Sequence, residues 1–143
     1  MRSPFFYLTD MKLEITTQPT GTDILPLSLA KEFLRVDHSD EDTTITALIN
    51  AAVQHCQDYT NRHFVSSNFT LSLDDFYNCE FSTGPINTIT GVTYKDVGNA
   101  TQTLATSKYW YDTKREPGRI HFENAPDTYD DDFNVVTISG TLG

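Results

Sequence analysis

The residues with the most obvious potential for chemistry are the acidic residues between Asp37 and Asp42. Their composition suggests a calcium loop. An EF-hand loop, however, requires a glycine at its sixth position and a glutamate at its twelfth. Counted from Asp37, these positions hold Asp42 and Leu48, so the pattern fails. The same acids suit the positive end of a helix dipole, and we expect them to begin a helix.

The histidines and remaining acids do not form a catalytic or metal-binding pattern either. On one helix, His55 and His63 would lie roughly 12 Å apart at 1.5 Å per residue, too far to share an ion. Asp74 and Asp75 are neighbours on a predicted strand and would point to opposite faces. The sequence contains no Gly-x-Ser-x-Gly elbow, no glycine-rich phosphate loop and no His-Glu-x-x-His. We therefore expect no enzyme, no metal and no cofactor.

Cysteine and aromatic residues offer two weaker chemical possibilities. Cys56 and Cys79 are too few for a disulfide framework or a zinc site, and we expect reduced, apolar side chains. Tyr109, Trp110 and Tyr111 could stack against a carbohydrate or a single-stranded nucleic acid. Strand alternation places Trp110 on one face and the two tyrosines on the other. The simpler expectation is Trp110 in the core with the tyrosines at its rim.

The charge balance restricts the possible partners. Ten basic residues stand against 20 acidic ones, which gives a net charge of −10. Because a protein that grips nucleic acid by its phosphates needs a basic face, the charge balance argues against tight DNA binding. A surface past which DNA slides remains compatible with this charge, and solubility alone explains any single acidic cluster equally well.

Apolar runs in the chain are short. No stretch approaches the roughly 18 consecutive apolar residues of a membrane span. The segment 1–10 is too short and too polar for a secretory signal. We expect a soluble protein that is made in the cytoplasm and has no membrane partner.

Two predicted helices follow an N-terminal extension and a short strand at 12–17. The first has Ser28 as its N-cap and ends at Val36. The second has Ser39 as its N-cap, with Asp42 as a carboxylate variant of the capping box, and ends near Asn61. Its apolar residues recur at steps of three and four and form one stripe. The stripe consists of Ile45, Leu48, Ile49, Ala52, Val53, Cys56 and Tyr59.

After residue 65 the pattern changes to the two-residue period of strands. The predicted strands are 69–73, 89–94, 101–104, 109–111, 119–122 and 133–138. Helices followed by strands indicate an α+β fold, with a helical pair before an antiparallel β-sheet or meander. We divide the chain into an extension with a short strand (1–24), a helical region (25–64) and a β region (65–143), within one compact domain.

The segment Leu29-Ala30-Lys31-Glu32-Phe33-Leu34-Arg35-Val36-Asp37, followed by Asp42 and then by Ile45 to Ala52, resembles the signature of phage head–tail connector proteins. That signature places Ala-Lys before Leu-Arg-Val-Asp, then an acidic gap and an Ile/Leu helix that ends in paired alanines. Segments 84–86, 89–94 and 117–120 lie where family members carry similar residues. The resemblance covers roughly residues 11–140.

The resemblance implies a structural virion protein of the neck, between head and tail. Family members form a ring beneath the portal and extend the DNA channel, and the resemblance implies twelve copies. The implied partners are the portal protein, a tail, stopper or terminator protein, and double-stranded DNA that passes without tight binding. The alternative is a small tail or capsid-decoration module that binds through its β region.

The resemblance also suggests residues for contacts. Lys31, Arg35 and Asp37 would form local ion pairs or contact a neighbouring subunit, although solubility alone also explains their charges. The acidic residues expected to face the DNA channel lie in 37–42 or 127–132. In the second segment they are Asp127, Asp130, Asp131 and Asp132.

The two ends of the sequence differ from the usual family pattern. Related proteins often continue past the last strand into C-terminal helices that engage the portal, whereas this sequence stops at 139–143 without them. It carries an additional aromatic segment, Phe5, Phe6 and Tyr7. We expect this segment to become ordered against a partner subunit and to perform part of the docking.

Overall fold

The computed structural model describes residues 12–17 and 19–143. Two helices, α1 (Leu27–Leu34) and α2 (Asp42–Thr60), lie between the first strand and the remaining seven. The strands are β1 (Lys12–Ile15), β2 (Ser67–Leu73), β3 (Cys79–Glu80), β4 (Ile86–Lys95), β5 (Thr101–Thr103), β6 (Tyr109–Asp112), β7 (Arg119–Phe122) and β8 (Val136–Leu142). The α+β prediction is confirmed.

The strands form two antiparallel sheets. One has five strands in the order β1-β2-β8-β4-β5, and the other has three in the order β3-β7-β6. Strand β8 lies between β2 and β4, so the larger sheet does not have the order of a simple meander. Side chains from both sheets fill one core, which includes Phe69, Ile120 and Ile138. Each such side chain contributes about 1.5–3 kcal/mol when it is fully buried.

Gly140 allows strand β8 to extend beyond its predicted end. A Cβ at this position would lie 2.3 Å from the backbone oxygen of Thr88 and 2.8 Å from the Phe69 ring. Only glycine therefore permits β4 and the Phe69 ring to approach β8 this closely. The predicted strand 133–138 is displaced to Val136–Leu142, and Phe133 lies outside it on the surface.

The prediction that Trp110 lies in the core is wrong. Trp110 is 50% exposed, whereas Tyr109 is buried. Residues on β6 do alternate between faces, but pairing with β7 places Tyr109 opposite Phe122 in the core and Trp110 opposite His121 on the outer face. Burial raises the pKa of the Tyr109 hydroxyl. The prediction that both tyrosines lie at the rim is therefore also wrong, because Tyr109 belongs to the core, whereas Tyr111 is exposed.

Both predicted N-caps are also wrong. Helix α1 begins one residue before Ser28, and Pro26 occupies its N-cap position. Helix α2 begins at Asp42, with Glu41 as N-cap and no side-chain capping bond. The backbone oxygen of Ser39 instead accepts the Asp42 N–H in a turn that precedes the helix. The predicted end of α2 is confirmed, because Asn61 is its C-cap in the left-handed conformation.

The helical pair has a small core of its own. Ala30, Ile45 and Ile49 are buried there, in a cluster separate from the core between the sheets. A 3-10 turn at Gly21–Asp23 contacts α2, where the Gly21 N–H donates to the Asn50 side-chain oxygen over 2.8 Å. Within the described residues, no helix is both long and apolar enough to cross a bilayer.

An ion pair fastens the first helix to the start of the second. The Lys31 ammonium lies 2.5 Å from a carboxylate oxygen of Asp42, and both side chains are partly buried. We expect Asp42→Asn to lower the free energy of unfolding by about 1 kcal/mol or less, because the pair is only partly shielded from water. Urea unfolding tests this, with Arg119→Met as a control that breaks the more exposed, 3.5 Å pair with Asp112. An equal loss in the two variants would contradict a specific role for Lys31.

Candidate subunit interface

The predicted apolar stripe of α2 divides into two faces. Ile45 and Ile49 are buried, and Val53 packs against them. Leu48 and Tyr59 are 64% and 87% exposed. Because successive helical residues are turned by about 100°, the positions of Leu48 and Tyr59 fall on one face, beside the face that packs against α1. The stripe therefore only partly serves the core of its own chain.

Helix α1 also presents apolar side chains to solvent. Phe33 is 89% exposed, and Leu29 and Leu34 are exposed as well. Leu29 and Phe33 are four residues apart and lie on the same face of α1. We call Leu29, Phe33, Leu34, Leu48 and Tyr59 the exposed helical set.

The exposed helical set is large compared with the core beneath it. Five large apolar side chains are exposed on a helical pair that buries only three residues in its own cluster. Single exposed apolar residues are common on protein surfaces, but a concentration of them on one structural unit marks a contact site. The arrangement supports packing against another protein surface and offers no group for catalysis.

Polar contacts join the end of α2 to the β region. The Asn61 side-chain nitrogen donates to the backbone oxygen of Ser82, and the Thr83 hydroxyl donates to the backbone oxygen of Asn61. Arg62 pairs with Glu116 in the β6–β7 connection. The His63 N–H donates to the backbone oxygen of Gly84 over 2.9 Å. These contacts fix the helical pair relative to the β region without a shared apolar core.

His63 makes this junction sensitive to pH. Burial lowers the pKa of His63 below its usual 6.5, and the nearby Asp58 carboxylate only partly opposes this. The unfolded chain therefore binds more protons than the folded one just below pH 6.5, so the free energy of unfolding should decrease as the pH falls through this range. Urea unfolding at pH 7.5 and pH 5.5 measures the loss. His63→Gln should reduce it, and an unchanged loss in that variant would contradict the assignment.

The predicted contact residues are distributed unevenly. Lys31 forms the ion pair within the chain, whereas Arg35 and Asp37 are exposed and have no ion-pair partner among the described residues. Arg35 is the C-cap of α1 in the left-handed conformation. The segment with Phe5, Phe6 and Tyr7 lies outside the described residues.

The predicted acidic residues lie in two separate places. Asp37, Asp40 and Glu41 lie between the two helices and Asp42 begins α2, whereas Asp127, Asp130 and Asp131 are exposed in the connection between β7 and β8. Asp132 pairs with Lys95 over 2.5 Å. The hydrogen bond from Lys95 is the main reason that the pKa of Asp132 lies below its usual value, with the Phe133 N–H as a second donor.

Neither a metal site nor a disulfide is present in the described part of the chain. No group of three or more His, Cys, Asp or Glu side chains is placed there to hold a metal ion. Cys56 is exposed and Cys79 is partly buried, and both are free. Burial raises the pKa of the Cys79 thiol to about 11, so this thiol is almost entirely protonated at neutral pH.

Sequence reasoning missed several exposed residues. The predicted strands contain Trp110 and Phe133 without indicating that these side chains are exposed, and the predicted stripe of α2 does not separate the exposed Leu48 and Tyr59 from its buried residues. The length of that stripe could have indicated the exposure, because the eight residues of α1 are too few to cover a stripe that runs along the 19 residues of α2.

Known proteins share both the sequence pattern and the fold. The model of the phage gp6-like head-tail connector family matches residues 25–134. A chain in the neck of an empty gene transfer agent particle, computed with C6 symmetry, is 17% identical with a TM-score of 0.70, and the match covers 92% of this chain and 69% of that one. A chain in the virion of a native gene transfer agent particle is 21% identical with a TM-score of 0.73, covering 92% and 71%. No curated protein sequence matches the chain.

A third similar structure comes from the neck of a native gene transfer agent particle computed with C12 symmetry. It is 20% identical with a TM-score of 0.68, and the match covers 92% of this chain and 69% of that one. At these identities the structures establish a shared fold, whereas the family match extends over more than half of the sequence. The chain therefore belongs to the phage gp6-like head-tail connector family.

Proposed function

We propose that this chain assembles with copies of itself into a closed ring in the virion neck, and that the exposed helical set forms a major contact between copies. The family is one of structural virion connectors. The observation that carries the proposal is the exposure of Phe33, Leu48 and Tyr59 on a helical pair with a very small core. Covering these side chains with a second copy would remove a large apolar surface from water.

The number of copies and the neighbours of the ring follow from the same proposal. Similar folds occur in necks computed with C6 and C12 symmetry, which supports a ring of twelve copies. We place the portal protein on one side of the ring and a tail, stopper or terminator protein on the other. A head-to-tail contact rotates each copy by a fixed angle relative to the previous one. The copies form a closed ring when a whole number of these rotations adds up to one full turn.

Electron microscopy of the purified chain, with and without the portal protein, tests this function. Closed rings that stack beneath the portal support the connector. Monomers that bind along the capsid surface would favour a decoration module instead. Mass photometry across a range of concentrations gives the number of copies independently of the images.

We further propose that residues 37–42 face the DNA that passes through the ring. The exposed side chains of this segment are polar, and its carboxylates would repel the phosphates of DNA. The segment 127–132 is the second candidate, but the adjacent exposed Phe133 suits contact with protein better than contact with water.

Neutralising the acids at 37–42 should make DNA adhere to the ring. We expect Asp37→Asn, Asp40→Asn and Glu41→Gln together to increase DNA retention by purified rings at low salt and to slow DNA ejection from particles, because the phosphates would no longer be repelled. The matched control is Glu32→Gln, Glu123→Gln and Asp127→Asn, which removes three exposed charges outside this segment. An unchanged ejection rate in the first variant would contradict the assignment of residues 37–42 to the channel.

A further inference from the structure

Two large apolar side chains are exposed together at one end of the five-stranded sheet. Phe133 is 76% exposed before β8, and Val97 is 70% exposed in the turn between β4 and β5. They lie at the same end because Lys95, two residues before Val97, pairs with Asp132, the neighbour of Phe133. We call Val97, Phe133, Asp130 and Asp131 together the apolar knob.

Both loops of the apolar knob are held in fixed conformations. The Asp96 carboxylate accepts the N–H groups of Gly98 and Ala100 and the side-chain amide of Gln102. The Asp132 carboxylate accepts the Phe133 N–H over 2.8 Å. These hydrogen bonds hold the two loops that carry Phe133 and Val97, and Asp130 and Asp131 are exposed beside Phe133. A surface that fits this end combines an apolar recess with basic groups.

The outer face of the three-stranded sheet provides such a recess. A shallow, open groove of about 490 Å³ lies there. Its lining includes the aromatic residues Trp110 and Tyr111, His121 and Arg119, together with the carboxylates of Glu80 and Asp112. The rings of Trp110 and His121 lie 5.7 Å apart between their centroids. We call this feature the aromatic groove.

Basic residues lie beside the aromatic groove in an otherwise acidic protein. Arg115 and Arg119 make ion pairs of 3.3 Å and 3.5 Å with Glu80 and Asp112, each through one guanidinium nitrogen. An arginine carries five N–H donors, so both retain donors for a further carboxylate. The Lys114 ammonium has no ion-pair partner among the described residues, and it lies in the connection between β6 and β7.

The β6–β7 connection and the apolar knob lie at opposite ends of strand β4. A Cβ at Gly118 of this connection would lie 3.4 Å from the side chain of Ile86, the first residue of β4. Lys95, the last residue of β4, instead pairs with Asp132 beside Phe133. Ten strand residues span about 33 Å. One chain thus carries an apolar and acidic surface at one end of the five-stranded sheet and, on the three-stranded sheet, an aromatic groove with basic side chains nearby.

We propose that the apolar knob of one copy docks into the aromatic groove of the next copy, with Phe133 against Trp110 and with Asp130 and Asp131 facing Lys114 and Arg115. The inference rests on the proposed ring and names a second contact within it. Because the two surfaces differ, the contact is head-to-tail, the type that generates rings. A second copy is the favoured occupant because its groove supplies the required combination of aromatic and basic groups.

Charge exchange tests the docking directly. We expect Asp130→Lys with Asp131→Lys to weaken ring assembly about tenfold or more, and Lys114→Glu with Arg115→Glu to do the same. Carrying all four changes on one chain should restore assembly to near the wild-type level, because the opposite charges face each other again. Mass photometry over a concentration series measures each case. Circular dichroism checks that these exposed changes leave the monomer folded.

The aromatic contact is tested by Phe133→Ser, which should weaken assembly, and by Phe133→Leu, which should largely retain it. Rings that tolerate the Phe133, knob and groove variants would overturn the docking while leaving the ring itself intact. Failure of the four-change chain to assemble would show that the two surfaces do not meet. A wild-type chain that stays monomeric at every concentration, with the portal present, would contradict the ring and this inference together.

Discussion

Replacing Phe33 and Leu48 with aspartate should leave the monomer folded and abolish ring formation. Both side chains are largely exposed within one copy, so the change removes little from the chain's own core. At each of the two positions, the ring contact would lose the roughly 1.5–3 kcal/mol that burial of an apolar side chain contributes. Burying the new carboxylate would cost further free energy, because the charge would be removed from water. A total of about 3 kcal/mol or more reduces the association constant by more than about a hundredfold. Mass photometry measures assembly, and thermal unfolding measures monomer stability.

A matched control introduces the same two charges elsewhere on the same helices. Ser28 and Thr43 are exposed polar residues in the first turns of α1 and α2. Aspartate suits this end of a helix, so Ser28→Asp with Thr43→Asp should preserve both the fold and the ring. If the Phe33 and Leu48 variant still formed rings at the wild-type concentration, the exposed helical set would not be the contact between copies.

Replacing Gly140 with alanine should destabilise the β region by at least about 1–3 kcal/mol, the usual cost of an overpacked core. The added methyl group would meet the backbone oxygen of Thr88, which cannot move without loosening the pairing of β4 with β8. Domains of this kind are stable by only about 5–15 kcal/mol, so the loss is a large fraction of the total. Urea unfolding monitored by tryptophan fluorescence gives the difference.

Gly91 supplies the control for this substitution. It also lies within a strand of the large sheet, but a Cβ there would meet nothing within 4 Å. Gly91→Ala should therefore be neutral or slightly stabilising, because alanine has less backbone freedom to lose on folding. Equal stability of the two alanine variants would contradict the close contact at Gly140.

The sequence predicted the elements of the fold better than the partners of each face. The period of three and four residues placed α2 correctly, and the alternation in β2 was equally informative. Periodicity shows that a face is apolar but not whether the same chain covers it. The sequence therefore predicts one continuous apolar stripe that includes Leu48 and Tyr59, whereas the structure buries one part of it and exposes the other.

Alternation has the same limitation at Trp110. It separates Trp110 from Tyr109 without showing which of them faces inward, because that depends on where β7 places Phe122. The capping predictions failed for a different reason. Ser28 and Ser39 have suitable side chains, but Pro26 and the turn before Asp42 determine where the helices begin.

The position of β8 determines the order in which the protein can acquire its structure during synthesis. Strands β2 and β4 each pair with β8 and not with one another. On the ribosome the five-stranded sheet therefore lacks its central strand until residues 136–142 have emerged. The two helices are made well before that point. The helical pair, which has its own small core, can therefore fold while the five-stranded sheet is still incomplete.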